Sequence, residues 1–415
     1  MGFVIMGFFE LIALLLTVSA VFSFLNYRFV KLPTTIGLMV IGLLTSLLLM
    51  LTGRAVPSVE QWALEFLGEV KFDETLLHGM LSVLLFAGAL HVNINDLRRQ
   101  YRIIALLASV GVVFSTCLVG VLSSLIFSWL GFQIPFIFCL LFGALISPTD
   151  PIAVLGILKS AGVPKSLETK IIGESLFNDG VGVVLFVVIL SIATRGSGIA
   201  PSDIAIVFLL ETGGGFLFGL ATGAMAYWLL KQVDNYQVEV LITLALATGG
   251  YAMAESLHLS APITIVVAGL LIGNHGRSLA MSSTTRLRLD SFWELTDEVM
   301  NSVLFVLIGL EVLIIDLSPA KMFAVVLVIP TVICCRFVSV SCPVIALRRF
   351  REFSPHVAKI LTWGGLRGGI SVALALSLPQ GAERDLLLPV TYGVVAFSII
   401  VQGLSLGPLL KRLKS

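Results

Sequence analysis

Long apolar stretches follow one another along the whole chain, separated by short polar turns. A helix needs roughly 20 mainly apolar residues to cross the hydrocarbon of a bilayer. Thirteen stretches fit that reading, over residues 5–26, 32–52, 75–92, 103–130, 134–158, 171–194, 203–230, 237–257, 261–273, 296–315, 320–346, 356–378 and 388–410. The ninth is short, and the fifth and twelfth are interrupted. The first lacks the basic start and small-residue cleavage site of a signal peptide, so it reads as a retained helix. The turns leave no room for a soluble domain, and residues 1–415 read as a single membrane domain. The pattern predicts an all-α polytopic membrane protein of about thirteen transmembrane helices.

Composition points the same way, with 57% hydrophobic and only 12% charged residues. The basic residues then set an orientation. With thirteen crossings, the turns on one face hold nineteen Lys and Arg, and those on the other hold five. Short cytoplasmic loops carry the basic excess. The C-terminus is therefore expected in the cytoplasm and the N-terminus outside, in a plasma (inner) membrane. The two remaining arginines, Arg336 and Arg367, fall inside apolar segments. The five cysteines also lie in apolar segments without metal-ligand spacing, and read as packing residues.

Helices 1–6 (residues 5–194) and 8–13 (residues 237–410) would begin on opposite sides of the membrane, linked by helix 7 (residues 203–230). That permits two inverted repeats, an arrangement of many secondary transporters. The interruptions correspond. Ser147-Pro148-Thr149-Asp150-Pro151 breaks helix 5, and Trp363-Gly364-Gly365-Leu366-Arg367-Gly368-Gly369 breaks helix 12, each the fifth helix of its half. Proline removes backbone donors, and clustered glycine weakens a helix through backbone entropy. Unwound backbone persists at membrane depth only where protein or a water-filled cavity satisfies it. If the broken helices cross, two partly positive and two partly negative helix ends meet near the midplane. Asp150 can then face the positive ends, and Arg367, or Arg336, the negative ones.

Helix 6 holds the sharpest signal, Gly173-Glu174-Ser175-Leu176-Phe177-Asn178-Asp179-Gly180. Residues four apart share a helix face, so Ser175 and Asp179 line one strip, and Glu174 and Asn178 the next. Glu168 and Lys170 mark the interface, which leaves Asp179 about three turns deeper at 3.6 residues per turn. An acid at that depth costs at least ~2.5 kcal/mol to insert, so it is a functional candidate by default. Carboxylate, hydroxyl and carboxamide together offer hard oxygen ligands to a small cation, with unwound carbonyls at Thr149 in addition. In a half-dry cavity, desolvation and nearby cations pull a carboxylate's proton affinity in opposite directions. Such a group can exchange a proton for a cation near neutral pH. One site, occupied alternately and open to one side at a time, suffices for antiport. Glu174, nearer the surface, reads as the partner of a buried arginine.

Ser-Pro-Thr-Asp-Pro at 147–151, Gly-Glu-Ser-Leu-Phe-Asn-Asp-Gly at 173–180 and Gly-Leu-Arg-Gly-Gly at 365–369, in that order across thirteen segments, resemble the NhaP-type monovalent cation:proton antiporters of the sodium/proton exchanger family. The resemblance implies that Asp179 binds proton and sodium in turn, with Ser175 and Thr149 as further ligands. It implies that Asp150 compensates the helix ends, and that Glu174 pairs with Arg367, with Arg336 as the second candidate. It also implies a homodimer, in which a dimerisation domain supports a six-helix core that carries the ion. Asn178, before the key aspartate, goes with electroneutral exchange of one cation for one proton. The residues agree in sign, since Asn178 leaves one titratable group fewer. One departure stands out. Leu84-Leu85-Phe86-Ala87-Gly88 carries no acid at Ala87, where many relatives have one, and this bears on cation preference and pH dependence.

The expected function is secondary transport rather than enzymatic catalysis, because no His, Cys or Ser cluster has catalytic spacing. Sodium, with lithium as a second candidate, would exchange for protons by alternating access. The expected partners are monovalent cations, protons, the bilayer and a second copy; no cofactor beyond the transported ions is expected, and no nucleic acid. A potassium/proton antiporter is the alternative, because ligand type alone does not set ion size. A cation channel is more remote, since it needs a continuous pore, and buried acids would repel the cargo of an anion symporter. Among lesser features, Asn93 and Asp96 read as a cap beyond helix 3. Asp290, Glu294 and Asp297 read as the approach to helix 10, where Glu298 and Asn301 can line an inner funnel. Gly213-Gly214-Gly215 reads as a close-packing site.

Overall fold

The computed structural model describes residues 8–53, 56–151, 154, 158, 163–195, 201–277, 281–316, 318–347 and 356–414. These residues form helices and turns, with no strand among them. In chain order the helices are α1 (Phe9–Val30), α2 (Thr34–Gly53), α3 (Pro57–Val70), α4 (Phe72–Leu90) and α5 (Ile94–Trp129). Next come α6 (Phe136–Ile146), α7 (Lys165–Arg195), α8 (Pro201–Lys231), α9 (Tyr236–Ser256) and α10 (Ala261–Gly276). The last five are α11 (Ser283–Leu310), α12 (Pro319–Leu347), α13 (Val357–Trp363), α14 (Gly369–Leu376) and α15 (Ala382–Arg412). Among the described residues, nine helices are long and apolar enough to cross a bilayer, and α6 and α10 are shorter apolar ones.

Among the described residues, each apolar segment predicted from the pattern overlaps a helix. The differences lie at polar ends. The helix read as starting at 103 begins at Ile94, where the Asn93 side chain accepts hydrogen bonds from the Asn95 and Asp96 amides at 2.9 and 3.4 Å. The helix read as starting at 296 begins at Ser283, where Ser282 accepts from the Thr285 amide at 3.3 Å. Apolarity marks the part of a helix that meets lipid, whereas capping decides where the helix starts. Between α2 and α4 the chain forms α3 with Pro57 in its first turn, where a missing N–H costs nothing.

Five π turns interrupt the helices, at Asn26–Val30, Leu76–Met80, Leu107–Gly111, Ile272–Gly276 and Ser398–Gln402. Such turns redirect side chains locally. The one at Ile272–Gly276 turns Asn274 toward α5, where it accepts from the Ile94 amide at 2.8 Å and donates to Val92 O at 2.9 Å. Glycine brings α8 against α10: a Cβ on Gly215 would lie 2.7 Å from Ser260 O, and Thr264 Oγ1 donates to Gly215 O at 3.0 Å.

The buried apolar side chains form two cores. One joins α2, α5, α6, α11, α12, α14 and α15; the other joins α4, α9 and α10 around the fully buried Trp293. The site described next lies where the two cores meet.

Candidate functional site at the crossing of two broken helices

Helix α6 stops at Ser147, whose hydroxyl donates to Gly143 O at 2.7 Å and to Ser115 Oγ at 3.0 Å. Residues 148–150 then run without helical bonding, and Val154 and Leu158 are helical again. The second break is similar. Helix α13 ends at Gly364, residues 365–368 are unwound, and α14 starts at Gly369. The two unwound stretches touch, with the Asp150 amide donating to Leu366 O at 2.8 Å.

Each stretch supplies one charge to the other's helix end. The Arg367 guanidinium donates to Pro148 O at 3.0 Å and also to Ser147 O, so it sits at the carbonyl end of α6. The Asp150 carboxylate lies against Gly368, the N-cap residue of α14 and so its partly positive end. Opposite charges thus meet opposite helix ends. The Arg367 amide is held by Ser398 Oγ at 3.0 Å, which the π turn Ser398–Gln402 brings into reach.

Glycine is required at 368 by contact rather than by backbone angle. A Cβ there would fall 2.6 Å from Asp150 Oδ2 and 2.7 Å from its Cβ. Gly368→Ala is expected to displace Asp150 and lower transport about tenfold or more, since an ångström of misplacement at a reacting centre is that expensive. A vesicle exchange assay at matched protein content reads this; full activity in the variant would show that Asp150 is free to shift.

Helix α7 brings its polar strip against the first break. Thr149 Oγ1 and Ser175 Oγ are 2.9 Å apart, and Asn178 Nδ2 donates to Thr149 Oγ1 at 2.8 Å. Asn178 Oδ1 accepts from the Thr149 amide at 3.2 Å. Asn178 therefore uses both ends of its carboxamide to tie the unwound stretch to α7. Asp179, one residue further, is buried at 6% exposure and lines a cavity of about 550 Å³ together with Asp150.

One sequence expectation changes here. The Glu174 carboxylate, paired in that reading first with Arg367, meets Arg336 of α12 instead, with Oε1 and Nη1 2.5 Å apart. Arg367 is committed to the α6 carbonyls, so Arg336 is the cation left to balance Glu174. Both members of the pair are buried.

The cavity is acidic. Asp150, Glu168, Asp179, Asp290, Glu294 and Asp297 all line it, with His91. Glu294 is exposed at the mouth, Asp297 is half-buried and Asp179 lies buried within. Asp290, Glu294 and Asp297 share one face of α11 through spacings of three and four. The sequence expectation named Glu298 and Asn301 as funnel residues. Glu298 instead lines a second cavity, of about 1000 Å³, beside Arg28 and Lys31, and Asn301 is buried, donating to Asp297 O at 2.8 Å. Ser371 of α14 was not anticipated at all; it lines the first cavity, and its buried hydroxyl has no hydrogen-bond partner among the described residues. Leu304, Ile308 and Leu374 are buried, and Leu304 and Ile308 pack against Gly369.

The chain is similar to known proteins over almost its whole length. The profile of the family described as "Sodium/hydrogen exchanger, transmembrane" matches residues 12–412. The chain belongs to the sodium/hydrogen exchanger family. It is 50% identical over 409 residues to the Na(+)/H(+) antiporter NhaP of Pseudomonas aeruginosa, covering 97% of this chain and 96% of that one. It is 34% identical over 391 residues to the Na(+)/H(+) antiporter NhaH of Halobacillus dabanensis, covering 93% of each. Its fold matches the sodium proton antiporter MjNhaP1 from Methanocaldococcus jannaschii at pH 8, with a TM-score of 0.75, 19% identity and 97% of each chain covered. For this exchanger-family chain, then, the all-helical membrane architecture read from the hydrophobic pattern is the observed one.

Proposed function

We propose that the protein exchanges sodium for protons across a membrane by alternating access, with Asp179 as the carboxylate that binds each in turn. The observation that carries this is the placement of Asp179, buried beside the Thr149–Ser175 hydroxyl pair, on the wall of a cavity lined by five further carboxylates. Acidic walls with low-dielectric backing concentrate cations and repel anions. Asp179, Ser175 and Thr149 are the sodium ligands in this reading, and lithium would use the same oxygens. The relatives named above are sodium antiporters by name, which favours sodium over potassium. A channel would need a continuous pore, whereas a buried titratable acid beside two broken helices suits alternating access better.

The exchange is one sodium for one proton. Asn178 is spent on Thr149 and does not titrate, and Arg367 and Asp150 balance each other's helix ends. In this reading, which the basic excess of one set of loops supports, the C-terminus and the acidic mouth face the cytoplasm across a plasma membrane, and the transporter works as a homodimer. In reconstituted vesicles carrying a pH gradient, sodium and lithium are expected to dissipate the gradient and potassium is not. Dissipation by none of the three would sink the antiport reading. A rate that follows membrane potential would remove the one-for-one stoichiometry.

Ala87 and Asp297 line the same cavity. Asp297 therefore supplies a carboxylate to a wall that has none at 87. Asp297→Asn is expected to raise the apparent KM for sodium about three- to tenfold at low ionic strength and less at high salt, with maximal rate kept, because a mouth charge acts through a screened field. Titrating sodium at two salt concentrations checks it; a salt-independent change would mean direct ligation instead.

A further inference from the structure

Helix α11 carries a second buried carboxylate, on the far side of the site from the acidic mouth. Glu311 opens the short 3-10 turn Glu311–Leu313 that follows α11, and it is 2% exposed. It lies seven residues beyond Leu304, which lines the cavity. At 1.5 Å per residue that is about 10 Å further from the mouth. The turn is pinned by Ser46 of α2, whose hydroxyl donates to Gly309 O at 3.1 Å.

Glu311 is not a member of any ion pair among the described residues, and its Oε2 has no hydrogen-bond partner among them. The hydroxyl of Tyr392, on α15, is likewise buried without a partner. The titratable and charged groups whose fields reach this carboxyl are Asp73 of α4, with Arg384 and Tyr392 of α15. A purely structural acid at this depth would be expected to hold its donors, because an unsatisfied buried carboxylate is costly. Here α2 and α11 pack against the turn, and no donor reaches Glu311 Oε2 among the described residues. Arg384, near the start of α15, is half-buried.

We propose that Glu311 is a second proton-binding carboxyl, set on the route between Asp179 and the face opposite the acidic mouth. While that face is shut, Glu311 holds a proton. When the face opens, the proton passes to solution there and the carboxylate is balanced by Arg384. Sodium leaving or entering by that face meets this charge before it meets Asp179. This rests on the antiport reading, and it adds to it a titration felt at one face alone.

The test uses the full-length protein in membrane vesicles of both orientations, so that each face can be titrated separately. Glu311→Gln copies the protonated side chain in size. It is expected to shift the apparent KM for sodium about tenfold at the face opposite the mouth and to remove one step from the pH profile measured there. At the mouth face, KM and pH profile should change less than twofold. Difference infrared spectroscopy supplies an independent readout: a protonated-carboxyl band should disappear in Glu311→Gln and titrate in the unaltered protein. Unaltered profiles at both faces, equal shifts at both, or no missing band would overturn the proposal. An unaltered protein that moves no protons against sodium at either face would overturn the antiport reading, and the infrared band would still report whether Glu311 binds a proton.

Discussion

Asp179→Asn is expected to abolish sodium-driven proton movement while leaving a folded protein. Among the groups gathered at the break of helix 5, Thr149, Ser175 and Asn178 are neutral, and Asp150 is turned to the start of α14. Asp179 alone can take up a proton on the α7 strip. Asparagine keeps the shape and an oxygen ligand but carries no charge and accepts no proton. Exchange should fall at least ~100-fold, the lower range for loss of a positioned proton-carrying side chain. Stability should hold, since a carboxamide is cheaper to bury than a carboxylate. The measurement is gradient dissipation in vesicles with protein content matched by immunoblot. Exchange within twofold of the unaltered protein would remove Asp179 from the centre of the mechanism. Asp150→Asn should cost less, because Asp150 answers to a helix end rather than to the cargo.

The largest expected loss of stability comes from the Glu174–Arg336 pair. At 2.5 Å and buried on both sides, it ties α7 to α12, 162 residues apart in sequence. Removing one member strands the other charge in a dry environment, which costs about 3–5 kcal/mol. Arg336→Ala should therefore lower the melting temperature in detergent sharply, and Glu174→Ala by a similar amount. The double variant Glu174→Gln/Arg336→Met leaves neither charge and should recover most of the loss, since replacing a buried pair by neutral groups is often close to free. Single variants that melt no lower than the double would show that the pair does not hold these helices together. Arg367 behaves differently, because its partners are carbonyls that remain polar but uncharged when it is removed. Transport should suffer there before stability does.

Several of these expectations rest on residues whose roles were readable early and on others that were not. The breaks were readable because proline and clustered glycine act locally. Pro148 and Pro151 cannot continue a helix wherever the chain goes, and Gly364 to Gly369 weaken one in any context. The depth of Asp179 was readable because helical rise is fixed, so counting from Glu168 places it without knowledge of neighbours. The partner of Glu174 was not. Two arginines, Arg336 and Arg367, offered the same charge at similar depth, and only the position of the α6 carbonyls assigns one of them elsewhere. The acidic strip on α11 was placed as the approach to helix 10, but not the face it presents. Its residues precede the apolar part of that helix, so only packing decides which way they turn.

By itself, then, the sequence determined that this chain is a helical membrane protein, where its helices cross and break, and that a lone acid lies deep beside the first break. These follow from solvent preference and covalent geometry, which act over a few residues at a time. Tertiary structure alone decided which arginine meets Glu174, that Asp150 and Arg367 serve each other's helix ends, which face of α11 lines the cavity, and that Asp179 shares that cavity with the α11 acids. Those are contacts between residues far apart in the chain. Their selection depends on which buried charges remain unbalanced once every other helix is in place.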